Sequence, residues 1–328
     1  MQLLITGGAG FIGGHLAETF VSEGHDVTVL DNLDPFYDTE IKQHNIDAAR
    51  AAATDGDGRY EFVDDDVRNR ERVVDLLDGV DVVYHQAAQA GVRTSVENPH
   101  KTTEINVCGT LNVLEGARAA DVDRVVLASS SSVYGKPESL PYEETDQRTP
   151  VSPYGVSKLT GEELARVYHE LHDLPTVALR YFTVYGPRMR PNMAISNFVS
   201  RCTNGEPPVI YGDGTQTRDF TQVDDIVGVN RQLLTDDAAD GEVLNVGSTD
   251  RITIQNLAEV VRDEIDPDLE IVYDEERTGD AEHTHSDISK ANQLLGYEPS
   301  TSIRDGVREF IGWYEQNRDW YEPLVRRS

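Results

Sequence analysis

Residues 3–17 read LLITGGAGFIGGHLA. A short apolar, β-prone run, Leu3 to Thr6, passes into a glycine-rich turn and then into a segment with helical spacing. Two glycine patterns coexist in the turn, Gly8-x-Gly10-x-x-Gly13 and Gly7-x-x-Gly10-x-x-Gly13. Glycine lacks the Cβ that would obstruct a tight turn, a backbone approach to a pyrophosphate, or close strand–helix packing, and a helix N-terminus favours the anion. Glycine-rich turns are common, so the motif alone decides little. Its context decides: a strand before, a helix after, and Asp31 eighteen residues beyond Gly13 at the end of the next strand-like run. The stretch predicts an α/β domain of Rossmann type, a doubly wound parallel sheet that binds a dinucleotide. Gly7, Gly10, Phe11, Ile12 and Gly13 are expected at the pyrophosphate, and Asp31, with Asn32 beside it, at the adenosine ribose. An acid there accepts from ribose hydroxyls and repels a 2′-phosphate, so NAD is expected rather than NADP. Asp66 and Val67 follow the next strand and are candidates to face the adenine, although a plain surface aspartate fits Asp66 nearly as well.

Moving outward, β-rich runs alternate with helix-like segments through the first half, the pattern of βαβ units. Candidate strands are Leu3–Thr6, Val27–Leu30, Tyr60–Val63, Val82–His85, Val125–Ala128 and Thr176–Arg180. After residue 182 proline and glycine become frequent and helical periodicity weakens, with one further strand-like run at Glu242–Val246. This predicts a dinucleotide domain over 1–181, with a returning segment at about 222–248, and a smaller, more irregular α/β substrate domain over 182–328. The acidic, Ala-rich stretch Asp47–Asp57 is expected to be an exposed excursion.

Composition narrows the classes. The 328 residues are 38% apolar and carry 59 acidic against 29 basic side chains, a net charge of −30, with lysine only at 42, 101, 136, 158 and 290. Such a surface repels nucleic acid and anionic membranes. No run approaches the roughly 18 to 20 apolar residues of a membrane span, and the first strand-like run follows Met1 directly, so a cytoplasmic protein is expected. The acid is spread along the chain, which suits a hydrated, halophilic surface in a salt-rich cytoplasm. Cys108 and Cys202 have no metal-ligand spacing and are expected to be reduced and structural.

Residues 127–135 read LASSSSVYG. Serine-rich stretches are usually solvated connectors, but this one ends a predicted strand. Further on, Ser152 and Pro153 form an N-cap and first turn that place Tyr154 and Lys158 at i and i+4 on one helix face. An ammonium beside a phenol favours the phenolate, and an oxidised nicotinamide would favour it further, so Tyr154 is a candidate general base. A Tyr-x-x-x-Lys pair alone is more often exposed. Behind a dinucleotide fingerprint and beside a serine-bearing strand end, the catalytic reading prevails.

TGGAGFIG, HQAAQAG, SSSSVYG, Tyr154-x-x-x-Lys158, RYFTVYGPR, YGDG…RDF…DD and DISKANQLLGYEP together resemble the extended short-chain dehydrogenase/reductase family, in its nucleotide-sugar epimerase and dehydratase branch. The resemblance runs from Leu3 to about Gly306. It implies that Ser130 is the catalytic hydroxyl, Tyr154 the base and Lys158 the group that lowers its pKa and holds the nicotinamide ribose. It places Asn106 in support of the cofactor pocket and Ala87 and Ala88 along it. Family dehydratases carry Asp-Glu directly after the catalytic Ser/Thr, and the related decarboxylases carry Glu at the second of those places; here Ser131 and Ser132 stand there. Without an added acid–base group, the simplest cycle is oxidation at C4, rotation of the 4-keto sugar, and reduction from the other face, which is 4-epimerisation. The resemblance also implies a homodimer through helices that include the Tyr-Lys helix, and a UDP-sugar as substrate. Arg218 and Arg277 match positions at the pyrophosphate. Thr183, Arg190 and Ser131 match positions that hold the C5 carboxylate in UDP-glucuronate 4-epimerases, yet UDP-glucose/galactose epimerases share much of this text, and the neutral hexose is placed slightly ahead. Thr284 falls where bulk gates N-acetyl sugars, leaving UDP-N-acetylglucosamine open. Net dehydration and a non-catalytic NAD sensor are the remaining alternatives.

His283-x-His285-x-Asp287 coincides with the family stretch before DISKA, and Asp55/Asp57 with Gly58 lacks the later acids of a calcium loop, so no metal is expected. His85 ends a strand and is read as a satisfied core histidine.

Overall fold

The computed structural model describes residues 1–136, 139–275 and 283–327. In the first half the elements are β1 (Gln2–Thr6), α1 (Phe11–Ser22), β2 (Asp26–Asp31), α2 (Thr39–Asp55), β3 (Arg59–Asp64), α3 (Arg70–Leu76), β4 (Val82–His85), α4 (Val92–Glu97), α5 (Pro99–Thr103), α6 (Thr110–Ala119), β5 (Arg124–Ser130), α7 (Pro153–His172) and β6 (Thr176–Tyr181). The rest comprises β7 (Thr183–Tyr185), α8 (Ala194–Thr203), β8 (Val209–Tyr211), β9 (Thr217–Gln222), α9 (Val223–Gln232), β10 (Val243–Val246), β11 (Arg251–Thr253), α10 (Ile254–Ile265), β12 (Val272–Asp274), α11 (Ser289–Leu295), α12 (Ile303–Gln316) and α13 (Arg318–Arg327).

Every predicted strand is present, each within two residues of its predicted ends. Because β5 and β6 are buried along their whole length, they must be covered on both faces, which is the condition of a parallel sheet wrapped by helices. Seven parallel strands run in the order β10-β6-β5-β4-β1-β2-β3. The order reverses between β1 and β4, and such a switch point opens a crevice at the strands' carboxyl ends. One apolar cluster packs α1, α9 and α11 onto one face of this sheet, and another packs residues of α3 and α6 onto the opposite face.

β10 comes from the second half yet pairs with β6, Val243 opposite Ala178 through Val246 opposite Tyr181. The remaining C-terminal elements gather around a separate cluster that includes Phe198, Leu257, Phe310 and Tyr321, with small sheets of order β11-β9-β7 and β12-β8.

Two expectations are corrected. Asp47–Asp57 is no excursion: residues up to Asp55 complete α2, whose Asn45 donates to the carbonyls of Ala9 and Gly10 and whose Ala49 is fully buried. Alanine favours helix, and the acids project outward, so high charge concealed an amphipathic element. The C-terminal part is also more helical than expected, because the apolar faces of α8, α10 and α12 meet one another behind short, glycine-punctuated strands. Both cysteines are free; Cys202 is buried, whereas Cys108 is exposed and so does not serve the core.

Candidate active site

A cleft of roughly 500 Å³ opens at the β1/β4 switch point. Its wall brings together Gly7, Gly10, Phe11, Ile12, Gly13, Asp31, Asn32, Asp66, Val67, Ala87, Ala88, Ser130, Ser131, Tyr154, Lys158, Thr183, Arg190 and Arg218. Asn106 stands one layer behind: its side chain accepts from the Gln89 amide at 2.7 Å and donates to the Gln89 carbonyl and to Ser157. Thr284 is not part of the wall; its hydroxyl accepts from the Asp219 amide at 3.2 Å, which turns it toward the protein interior. Arg277 lies outside the described residues.

The glycine turn fits a pyrophosphate for a steric reason. Gly7 has φ +70°, and a Cβ on it would lie 2.6 Å from the Ala87 nitrogen; one on Gly13 would lie 2.4 Å from the Gly7 carbonyl oxygen. α1 begins at Gly10 with no side chain capping its first turn, so the leading amides are left to a ligand. At the tip of β2, Asp31 accepts from the Ala9 amide (3.2 Å), the Leu33 amide (2.9 Å) and Lys42 Nζ (3.1 Å). Lys42, buried on α2, is a cleft residue that the sequence reading did not identify. Its scarcity as a lysine was the available signal, but only the folding of α2 against the turn brings it to Asp31. Asn32 donates to Asp66 at 2.6 Å, and Arg68 forks onto Asp66, holding that carboxyl below its usual range.

In the reacting half, the Ser152 hydroxyl accepts from the Gly155 amide at 3.1 Å and Pro153 occupies the first turn, which starts α7 where the sequence predicts. Tyr154, Lys158 and Glu162 then form one stripe along α7. Ser130, at the end of β5, donates to the Ser132 hydroxyl and accepts from the Ser132 amide, both at 3.2 Å, and its hydroxyl counteracts the rise in the Tyr154 pKa. Lys158 Nζ lies 5.9 Å from the Tyr154 ring centroid and donates to the Ala128 carbonyl at 2.6 Å.

In the protein alone, the electrostatics hold Tyr154 on the phenol side. Burial raises the pKa of Tyr154, and the Ser130 hydrogen bond and the Arg190 charge pull it only partly back. Lys158 is directed to a backbone carbonyl, and burial lowers its own pKa to about 8, against an opposing pull from Glu162. The protein alone therefore holds a neutral phenol at neutral pH, with Ser130 and the Arg190 charge pulling toward ionisation.

Beneath Lys158 lies a network the sequence reading missed. Glu162, 2% exposed, accepts from Arg180 at 2.9 and 2.8 Å and from the Ser129 hydroxyl at 2.5 Å. Arg180 also donates to the Tyr134 hydroxyl at 2.7 Å. The four-serine run is thus divided by β-strand alternation: Ser129 faces the buried network while Ser130 faces the cleft. His85 is satisfied as expected, with Thr6 and Thr110 hydroxyls 2.7 and 2.9 Å from its two nitrogens, and burial lowers its pKa to about 3.

Arg190 lines the cleft with its guanidinium 5.5 Å from the Phe36 ring centroid. Burial lowers its pKa, and among the described residues no carboxylate pairs with it. Arg218 donates to the Thr217 carbonyl at 2.9 Å. His283 lies beside Thr217 and His285 beside the Thr249 carbonyl, and among the described residues no cluster of three or more His, Cys, Asp or Glu could hold a metal ion. Nor is any described helix long and apolar enough to cross a membrane.

Fold and site together define a dinucleotide-fold enzyme scaffold of the Tyr-x-x-x-Lys type. A family model described as GDP-mannose 4,6 dehydratase matches residues 4–310, and the chain belongs to this family, within the nucleotide-sugar epimerase and dehydratase branch of the extended short-chain dehydrogenase/reductases. It is 36% identical over 317 residues to the UDP-glucuronate 4-epimerase of Thermodesulfobacterium geofontis, covering 96% of each chain. The crystal structure of Bacillus cereus UDP-glucuronic acid 4-epimerase with UDP-glucuronic acid and NAD superposes with a TM-score of 0.89 at 35% identity, covering 97% of this chain and 100% of that one. Thermotoga maritima UDP-glucose 4-epimerase with UDP-glucose gives 0.88 at 30% identity, covering 97% and 100%.

Proposed function

We propose that the protein is an NAD-dependent UDP-sugar 4-epimerase. The observation that carries this reading is the convergence of Ser130, Tyr154 and Lys158 on one end of the cleft, with Ser131 and Ser132 where a dehydratase needs acid–base groups. NAD, when bound along Gly7–Gly13 and Asp31, supplies a reversible two-electron acceptor. Tyr154 takes the proton of the sugar C4 hydroxyl and later returns it; Ser130 holds the same oxygen. Lys158, one turn along α7, holds the nicotinamide ribose and supplies the positive charge that lets the phenol release its proton. The phenol is neutral in the protein alone, so it becomes a competent base only when further positive charge arrives. Arg218 and Arg277 serve the pyrophosphate, forked guanidinium groups matching its oxygens. Lys42 joins Asp31 at the adenosine ribose, and Asn106 braces the cofactor wall through Gln89.

UDP-glucose/UDP-galactose and UDP-glucuronate are the two sugar readings. Arg190 favours the second: a desolvated guanidinium with no carboxylate partner among the described residues suits a sugar that brings its own. Thr183 and Ser131 flank the same space. Incubation with UDP-glucose, UDP-glucuronate and UDP-N-acetylglucosamine in turn, with products resolved by chromatography, tests both levels. A C4 epimer without net NADH is expected, and a 4-keto-6-deoxy product would overturn the proposal.

The catalytic module spans 1–181 with the returning segment 222–248, and the remainder of 182–328 closes the sugar side. A homodimer through α7 is supported by exposed Val156 on that helix and Val96 on neighbouring α4, 51% and 63% exposed. Sedimentation at a twice-monomer mass is expected. The acidic surface and the lack of a spanning helix among the described residues support a cytoplasmic, halophilic setting.

A further inference from the structure

The segment between β7 and α8 delivers Arg190 to the cleft, and it is held in an unusual way. Two residues earlier, Arg188 adopts φ +60°, a left-handed conformation that costs a non-glycine residue about 1 kcal/mol or more. Such a conformation persists only when its surroundings impose it. The restraint comes from α1. Arg188 donates to Glu18 at 2.5 Å and to His15 Nδ1 at 3.2 Å, while His15 Nε2 donates to the Pro187 carbonyl at 2.9 Å. Burial and the Arg188 charge lower the His15 pKa to about 3, so the ring is neutral and its tautomer is set by these two contacts. Phe11, on the cleft wall, packs edge-on against the same imidazole at 5.7 Å. On the other side, the Tyr321 hydroxyl donates to the Met189 carbonyl at 2.8 Å, and the Met189 side chain is fully buried. The loop is therefore pinned at 187, 188 and 189, and Arg190 is the first residue beyond the pins.

We propose that Arg188, clamped by His15 and Glu18, is a positioning residue that aims Arg190 at the sugar and ties the sugar pocket to the helix whose N-terminus faces the cofactor pyrophosphate. This rests on the reading of the cleft as a UDP-sugar site. Arg188 touches no substrate; it acts through Arg190. Burial and the Arg188 charge keep the His15 ring neutral, so its Nδ1 remains an acceptor for Arg188.

A double-mutant cycle on the full chain tests the clamp. UDP-glucuronate and UDP-glucose affinities are measured by calorimetry for the wild type, Arg188→Ala, Arg190→Ala and the double variant, alongside wild-type turnover, bound NAD and Tm. Arg188→Ala should weaken UDP-glucuronate about tenfold and UDP-glucose much less, with NAD content retained, and the double variant should match Arg190→Ala alone. Independent effects that multiply in the double variant, or a wild-type affinity in Arg188→Ala, would overturn the clamp. Glu18→Gln, which keeps an acceptor but removes the charge, should reproduce the selective loss in smaller degree, and equal weakening of both sugars by it would also overturn the clamp. If the wild type binds UDP-sugars but turns none over, the epimerase reading falls while the cycle still decides the clamp.

Discussion

Lys158 is pulled in opposite directions. Enclosure in the cleft removes water and disfavours its ammonium, whereas Glu162, one turn further along α7, favours it. The balance leaves its pKa at about 8, so the ammonium proposed to assist Tyr154 is present below that pH and is lost as pH rises through it. Removing the Glu162 charge must lower this pKa further. Glu162→Gln is accordingly expected to move the alkaline limb of the kcat–pH profile to lower pH; a limb that stayed put would mean that Glu162 acts only as scaffolding. The same change breaks a buried ion pair with Arg180 and should destabilise the fold by about 3 kcal/mol, read from denaturant unfolding. Tyr154→Phe keeps the ring and deletes the oxygen. Turnover should fall at least ~100-fold with NAD still bound, and a variant retaining full activity would assign the base elsewhere. The Tyr, Lys and Ser were readable because their spacing is local, i to i+4 on a helix and a strand end. Glu162 lies at the same periodicity, but its meaning depends on Arg180, which arrives from β6.

At the scale of elements, α1 has two functional faces. Its first turn closes the glycine cradle, and its fifth and eighth residues, His15 and Glu18, grip the loop that carries Arg190. The cradle tolerates no added atom at Gly13, where a Cβ would press on backbone rather than on a yielding side chain. Gly13→Ala should weaken NAD by about 1–3 kcal/mol, or roughly five- to 150-fold, measured as cofactor retained after dialysis; undiminished retention would place the dinucleotide elsewhere. α7 depends on its cap. Ser152→Ala removes the acceptor of the Gly155 amide and should cost about 1 kcal/mol, a Tm fall of roughly 2 °C. Cap and cradle were legible because each is written in consecutive residues. α2 was misread because its acidic face dominated its composition while its buried face answers to α1.

For the whole molecule, the surplus of acid sets the response to salt. A net charge of −30 on one chain repels itself, and salt screens that repulsion over a Debye length of about 3 Å at 1 M. Tm should rise from dilute buffer to molar salt, and an equal Tm in both would show that the surface charge carries no such penalty. The parallel sheet of βαβ units, the glycine cradle and the pairing of Tyr154 with Lys158 followed from the amino-acid sequence itself: apolar strand runs, glycine spacings, the acid ending β2 and the Tyr-Lys turn are short-range patterns whose physics is local. Tertiary structure alone decided the strand order and that the returning β10 pairs with β6, that Lys42 meets Asp31, that Glu162 and Arg180 lie under Lys158, and that Arg188 fastens the loop carrying Arg190 to α1. Each of those pairs joins residues on different elements, and no spacing along the chain records which side chains a packed core will press together.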